Sequence, residues 1–244
     1  MSVDISGAKI LFELPFGITI TETQVVSWGV MLVIAVVCWW LGRNLKVKPE
    51  SKRQVVAEYL VTTVQNMVRS NMSEKFDFFA PFIAATLALS ALSSLSSLLT
   101  FFPPTADFNT TFGWALIIFI LITYYKLKTN GVGGYFKSFT EPIPVFAPFN
   151  FLSELSTPIA MGFRHFGNVA SGMIISTLVY SALAALSSML LGWLPGFLAD
   201  IPIFQVGLPA ILSIYFDIFS GCLQAFIFCM LTMVNVKLAA GIED

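Results

Sequence analysis

The segment from Leu155 to Ala199 is the part of the chain that most constrains the fold. These 45 residues are mostly apolar, and Arg164 carries the only formal charge among them. A spanning helix needs about 20 apolar residues, because a bilayer's hydrocarbon core is about 30 Å thick and a helix rises about 1.5 Å per residue. A single helix over 155–193 would be about 58 Å long, so it must be strongly tilted, bent, or divided into two spans.

The composition identifies the solvent in which this segment folds. Hydrophobic residues make up 57% of the chain and charged residues 11%, whereas soluble domains carry about 25% charge. The chain is therefore predicted to be an all-α polytopic membrane protein, with residues 1–244 forming one membrane domain. Its three cysteines lie in apolar runs and it has one histidine, which is too few ligands of the right spacing for a zinc site. We expect no metal, no cofactor and no nucleic acid.

The apolar runs predict five spanning helices that differ in length. They are 24–42, 76–102, 109–125, the long run that contains Arg164, and a last run from Ile201 to about Val236. Residues 1–23 are expected to form an external N-terminal segment. The stretch after Gly131, with its glycines and prolines, predicts a loop or a re-entrant approach to the next helix.

A sixth helix is predicted over 51–74, but not as a span. Between Lys52 and Asn71 apolar residues recur at helical spacing while charged and amide side chains occupy the other faces. This pattern is typical of an amphipathic helix in the cytoplasmic interface or against a partner protein, and both alternatives stay open.

The positive charges predict the orientation of the chain. If both long runs are single tilted helices, Lys9 lies outside, Arg164 lies in the membrane, and eleven basic residues lie inside. Those eleven are Arg43, Lys46, Lys48, Lys52, Arg53, Arg69, Lys75, Lys126, Lys128, Lys137 and Lys237. This asymmetry follows the positive-inside rule and places the N-terminus outside and the C-terminus in the cytoplasm. Splitting the Arg164 run would move Lys237 outside, so the tilted pair is preferred.

The last two helices, over 149–237, are thus expected to form a tilted antiparallel hairpin that locates partners for Arg164. Arg164 lies about 21 Å along its helix from Asn150, and Gln224 lies about 20 Å from Lys237. The two therefore lie at similar depth. Asp217 is about 10 Å nearer the outside, which argues against a salt bridge with Arg164 but leaves that alternative open.

Small and polar residues on the neighbouring helices also allow two interpretations. Gly162, Gly167 and Gly172 recur beside Arg164, and serines recur along 90–97. Both sets suit close packing of helices, while the glycines would also admit another subunit and the serines would also form a polar path.

Two segments carry a resemblance to a known family. They are Pro158-Ile159-Ala160-Met161-Gly162-Phe163-Arg164-His165-Phe166-Gly167-Asn168, with Glu154 ten residues before the arginine, and Leu223-Gln224-Ala225-Phe226-Ile227-Phe228-Cys229-Met230-Leu231-Thr232. The chain resembles the a subunit of the rotary F-type ATP synthases. This resemblance implies a non-catalytic stator subunit whose last two helices face a ring of c subunits, with a b-subunit peripheral stalk and the rest of the F0F1 complex as further partners. It also implies two offset half-channels and a bacterial cell (inner) membrane location.

The resemblance implies roles for individual residues. Arg164 would face the ring carboxylates, with Gln224 opposite it, Asn168 one turn beyond it, and Glu154 at the cytoplasmic opening. Asp217 is assigned to the outer half-channel, with Asp107 and Asn109 as candidate mouth residues.

The sequence also departs from the family pattern. His165 replaces the usual leucine and is either a packing residue or a relay; Met173 and Ser94 replace residues that are commonly polar. These departures leave the ion path open, and the sequence does not decide between H+ and Na+.

Two other classes of protein are consistent with parts of this pattern. A secondary transporter would use an intramembrane arginine to bind an anionic substrate, although no internal repeat is present. An intramembrane hydrolase would need a nucleophile beside a base, but Ser171 and His165 lie far apart around their helix.

Overall fold

The computed structural model describes residues 7–15, 17–47, 51–99, 101–140, 143–191 and 208–241, and these are almost entirely helical. The exception is an antiparallel hairpin of β1 (Ile10–Leu14) and β2 (Ile18–Thr21). The predicted external segment therefore contains a β-hairpin, which leads directly into the first helix.

Within the described ranges, seven α-helices follow the hairpin in chain order. They are α1 (Glu22–Gly42), α2 (Lys52–Asn71), α3 (Ala80–Leu95), α4 (Phe108–Thr140), α5 (Ala147–Leu191), α6 (Leu208–Ser213) and α7 (Gly221–Ala239). Short 3-10 turns flank α3 over Glu74–Phe79 and Ser96–Leu99, and others precede α4 and α5. A π-helical segment, Ile214–Ser220, joins α6 to α7. Within the described residues, five helical segments are long and apolar enough to cross a membrane, which confirms the predicted class of fold.

The helix α1 begins at a residue that caps it. The rest of the described chain covers almost none of its surface. The side chain of Gln24 accepts a hydrogen bond from the backbone N–H of Thr21 at 3.3 Å, which satisfies one donor at the helix start. Thr23 is the only buried residue within α1. Its apolar residues therefore have no protein core to enter, and a bilayer is the solvent that suits them.

The helix α2 has the bounds that its amphipathic pattern predicts, and it is held at both ends. Ser51 accepts a hydrogen bond from the N–H of Gln54 at 3.2 Å, as an N-cap residue does. At the other end Arg69 forms an ion pair with Asp77, which raises the pKa of the Arg69 side chain. The place of α2, in the cytoplasmic interface or against a partner protein, stays a prediction.

The third span is longer than its apolar run indicated. We expected it to end at Tyr125, with a loop or a re-entrant approach in the proline-containing stretch after Gly131, but α4 continues to Thr140. Gly131 alone interrupts it, with a φ of 69° that favours glycine, so the helix breaks there and resumes. The glycine run therefore makes one break and no loop.

The helix α5 is continuous over 45 residues despite Pro158 in its interior. Its length is about 68 Å, more than twice the hydrocarbon thickness, so it must cross a bilayer obliquely or project from it. The π-helical segment and α7 pack antiparallel to it: Asn235 lies beside Met161, Gln224 beside Asn168, and Phe216 against Gly172. The predicted start of the last run at Ile201 lies outside the described residues.

The core lies where α7 packs against α3 and α4. It includes Ile83 of α3, Ala115 and Ile118 of α4, and Phe228 and Met233 of α7, all at most 1% exposed. Gly221 allows α7 to approach α3, because a Cβ added there would lie 2.9 Å from the Cβ of Ser94. Two Cβ atoms cannot come so close, so the helix backbones would have to separate.

We predict that Gly221→Ala lowers the free energy of unfolding by about 1–3 kcal/mol, the usual cost of overpacking a core. Gly113→Ala in α4 is the matched control, since nothing lies within 4 Å of a Cβ added there. Thermal unfolding of the purified protein in detergent compares the two variants. Equal stability of the two would contradict the close approach at Gly221.

Candidate functional site

Arg164 is exposed on α5 and has no partner within the described part of the chain. The ion pairs among those residues join Arg69 to Asp77 and Lys126 to Glu154. The guanidinium of Arg164 is in neither pair, although a planar group with five donors binds a carboxylate well. The described residues thus provide no counter-charge for this arginine.

The salt bridge between Arg164 and Asp217 that the sequence left open is not formed. Asp217 lies in the π-helical segment, and its carboxylate accepts hydrogen bonds from two serines instead. Ser97 donates to Oδ1 at 3.1 Å and Ser213 donates to Oδ2 at 2.5 Å. π-helical turns are rare in proteins overall, and those that do occur are often found at functional sites.

Asn168 and Gln224 come together between α5 and α7, so Gln224 lies one turn beyond the expected depth of Arg164. The amide of Asn168 lies 3.5 Å from Oε1 of Gln224, which is long for a hydrogen bond, and Ser220 donates to Oδ1 of Asn168 at 2.8 Å. Gln224 is 4% exposed. Asn168 is one turn beyond Arg164 on α5, so this polar contact borders the arginine.

The predicted mouth residues have a structural role at the start of α4. Asp107 accepts from the backbone N–H of Asn109 at 3.0 Å, as an N-cap residue does. Its other oxygen accepts from the buried Thr23 of α1 at 2.9 Å. Asp107 therefore joins α1 to α4, and Asn109 takes part through its backbone.

The side chain of His165 is buried, whereas the side chain of its neighbour Arg164 is exposed. It is 0% exposed, and its Nε2 shares a hydrogen bond of 3.1 Å with Ser90 of α3. The rings of Trp114 and Phe228 lie against it with their centroids 5.9 Å and 5.3 Å away. The ring is thus packed and also bonded to a polar partner.

Glu154 lies ten residues before Arg164 and is held by two residues of α4. Lys126 forms an ion pair with it at 3.0 Å, and the hydroxyl of Tyr135 donates to Oε1 at 3.1 Å. A cavity of about 180 Å³ adjoins this pair. It is lined by Phe119, Ile122, Lys126, Glu154, Thr157, Asn235, Leu238 and Ala239.

The structure adds polar residues that sequence reasoning did not assign to the site. Ser97 and Ser213 bind Asp217, Lys126 binds Glu154, and Ser94 donates to Thr105 at 3.2 Å. The spacing of the serines on α3 was a signal that they share a face. Their partners lie on distant segments, so no pattern within the sequence identified the contacts.

Comparison with known proteins decides the family. The family model described as ATP synthase A chain matches residues 24–237, which is most of the chain. The chain belongs to the ATP synthase subunit a family.

Several relatives match this subunit a chain over nearly its whole length. ATP synthase subunit a 1 of Crocosphaera subtropica is 30% identical, covering 99% of this chain and 96% of its own. ATP synthase subunit a, sodium ion specific, of Propionigenium modestum is 30% identical, covering 97% and 86%. ATP synthase subunit a of Desulforamulus reducens is 32% identical, covering 91% and 80%.

Membership of the subunit a family makes this chain a non-catalytic, multi-pass membrane subunit of the F-type ATP synthase and part of its stator. The secondary-transporter and hydrolase alternatives are therefore set aside.

We predict that Lys126 and Glu154 are energetically coupled. Their side chains are 33% and 11% exposed, so removing the ammonium leaves a poorly solvated carboxylate. A double-mutant cycle of Lys126→Met and Glu154→Gln, measured by unfolding of the detergent-solubilised protein, should give a coupling free energy of about 1 kcal/mol. Additivity within about 0.3 kcal/mol would show that the pair contributes nothing.

Proposed function

We propose that Arg164 couples the flow of H+ or Na+ to rotation of a c-subunit ring that carries a membrane carboxylate on each subunit. The observation that carries this proposal is an exposed, unpaired guanidinium on a 45-residue apolar helix. Such a charge costs from about 3 to more than 10 kcal/mol near the bilayer centre, so it needs an anion. A carboxylate on a neighbouring subunit provides one.

A moving carboxylate suits this arginine better than a fixed one. A nearby guanidinium favours the ionised form of a carboxyl group, so each ring carboxylate would release its ion as it approaches Arg164. An ion crossing 100 mV releases about 2.3 kcal/mol per charge, which a direct leak would dissipate. The fixed positive charge repels a bare cation and so opposes that leak.

The outer half-channel passes Asp217 in this proposal. Its carboxylate is partly exposed and bonded to Ser97 and Ser213, so it offers oxygen atoms to a proton or a small cation. Asp107 and Asn109 lie at the N-terminal end of α4, and we assign the mouth of the outer half-channel to that end.

The inner half-channel begins at the cavity beside Glu154. Its lining includes the polar side chains of Lys126, Glu154, Thr157 and Asn235. A cavity of about 180 Å³ is large enough for several waters, and these side chains offer them partners. An ion would leave for the cytoplasm along this path.

The two paths are separated along α5 by Arg164. Glu154 adjoins the inner cavity, while Gly172 contacts Phe216, the neighbour of Asp217. Eighteen residues of helix between Glu154 and Gly172 correspond to about 27 Å, with Arg164 between them. An ion that passes from one path to the other would therefore need the ring to carry it past the arginine.

The same proposal includes the placement of the chain. The N-terminal hairpin lies outside, the C-terminus lies in the cytoplasm of a bacterial cell, and α2 lies in the cytoplasmic interface, as the basic residues require. The hairpin of α5 and α7 faces the c-ring, and the b-subunit stalk is a further partner. The relative from Propionigenium modestum is named as sodium ion specific, so Na+ remains a coupling ion to test beside H+.

We predict that Arg164→Ala and Arg164→Lys both abolish ion-driven ATP synthesis. Alanine removes the charge, and lysine keeps it but loses the planar fork and its five donors. ATP synthesis by vesicles carrying the assembled complex measures the effect, with Arg69→Lys as a control outside the site. Robust synthesis by either Arg164 variant would refute the coupling role.

We predict that Asp217→Leu slows ion-driven ATP synthesis without uncoupling the ring, because the arginine barrier remains. Asp217→Asn should retain the two serine contacts while losing the charge, so it separates folding from ion conduction. Synthesis rates measured over a range of pH and Na+ concentration give the effect and the coupling ion. Unchanged rates under all of these conditions would exclude Asp217 from the path.

A further inference from the structure

Four serines of α3 and of the 3-10 turn that follows it form a row that leads from Asp217 to His165. Ser90, Ser93, Ser94 and Ser97 lie at positions that share one helix face, and we call them the serine row. Ser97 binds Asp217 at one end, and Ser90 binds His165 at the other. The two ends are seven residues apart, or about 10 Å along the helix.

Two buried polar atoms at the inner end of the serine row have no hydrogen-bond partner among the described residues. They are Nδ1 of His165 and Oγ of Ser93, and both residues are 0% exposed. Ser93 is one helical turn from Ser90, and His165 contacts Ser90, so both residues with an unpaired atom adjoin Ser90. The aromatic rings of Trp114 and Phe228 close this region around the imidazole.

Unsatisfied polar groups of this kind are rare in native proteins. Buried water molecules are the usual partners of such groups, and each makes about three hydrogen bonds. Water bound at Nδ1 of His165 and at Oγ of Ser93 would give each of these atoms a partner. A purely packing role, in contrast, explains neither unpaired atom.

We propose that His165, with Ser90 and Ser93, holds buried water behind Arg164, and that this water is the inner end of the outer half-channel. The proposal rests on the proposed function and deepens it, because it gives the outer path a definite end. His165 is a positioning residue here: Nε2 fixes the ring on Ser90, and Nδ1 orients the water. An ion that has passed Asp217 would meet this water within about 10 Å, beside the arginine helix.

Two substitutions separate the water contact from the packing contact. The amide of asparagine reaches the position of Nδ1, whereas the amide of glutamine reaches that of Nε2. His165→Asn should therefore keep the water, and His165→Gln should keep the bond to Ser90 and lose the water. Simple structural support by the ring predicts the opposite order.

We predict that His165→Gln lowers passive ion flux about tenfold, the effect on a rate of losing one buried hydrogen bond, and that His165→Asn stays within about twofold of the wild type. Flux of H+ and of Na+ is measured in vesicles that hold the membrane sector, with a potassium diffusion potential as the driving force. Equal flux in the two variants, or more flux in the glutamine variant, would overturn the proposal.

A second measurement reports water directly and does not depend on flux. Ser93→Cys is made in the whole complex after Cys38, Cys222 and Cys229 have been replaced by alanine, and its reaction with Ag+ is followed. Ala115→Cys is the matched control, because Ala115 is also 0% exposed, follows Trp114, and lies in the apolar core. Reaction at position 93 and none at position 115 is expected.

The outcomes distinguish this proposal from the proposed function. Absence of reaction at position 93 overturns the buried water, even if Arg164 proves essential for ATP synthesis. Conversely, reaction at position 93 with normal synthesis by Arg164→Ala would support the water and refute the coupling role. If the His165 variants do not assemble, Ag+ reaction at position 93 decides the proposal alone.

Discussion

A guanidinium in a membrane without a carboxylate partner is the constraint on which the rest of this structure depends. Arg164 is exposed on α5, while the nearby carboxylates are already bonded: Asp217 to serines and Glu154 to Lys126 and Tyr135. Hydroxyl donors satisfy Asp217 without an added charge. Among the described residues, Arg164 is therefore not paired with either carboxylate.

The antiparallel packing of α5 against α7 places the polar groups on two sides of that arginine. Gly172 admits Phe216, and the contact of Asn168 with Gln224 lies between the two ends. The hydroxyl-lined region around Asp217 lies toward one end of the hairpin and the cavity beside Glu154 toward the other. The two regions are therefore far apart because they lie toward opposite ends of the long helix α5.

Sequence reasoning was successful for features that depend on local pattern. The helical class, the continuous run through Arg164 and the bounds of α2 all follow from apolar periodicity and helix rise. Helix rise predicted Gln224 at the depth of Arg164, and the structure places it beside Asn168, one turn further along α5. It was wrong about the end of α4, because glycines weaken a helix without ending it, and within α4 only Gly131 adopts a left-handed φ. The α3 serines showed their common face but not their partners.

The sequence by itself determined that this chain enters a membrane, that it crosses in long helices, and that one arginine lies among apolar residues, since composition and spacing are properties of the chain alone. The tertiary structure decided which groups meet. Asp217 bonds to serines and not to Arg164, Asp107 caps α4, and His165 turns inward to Ser90. The reason is physical: hydrogen bonds act over about 3 Å, and residues up to 120 positions apart come that close only when the helices pack.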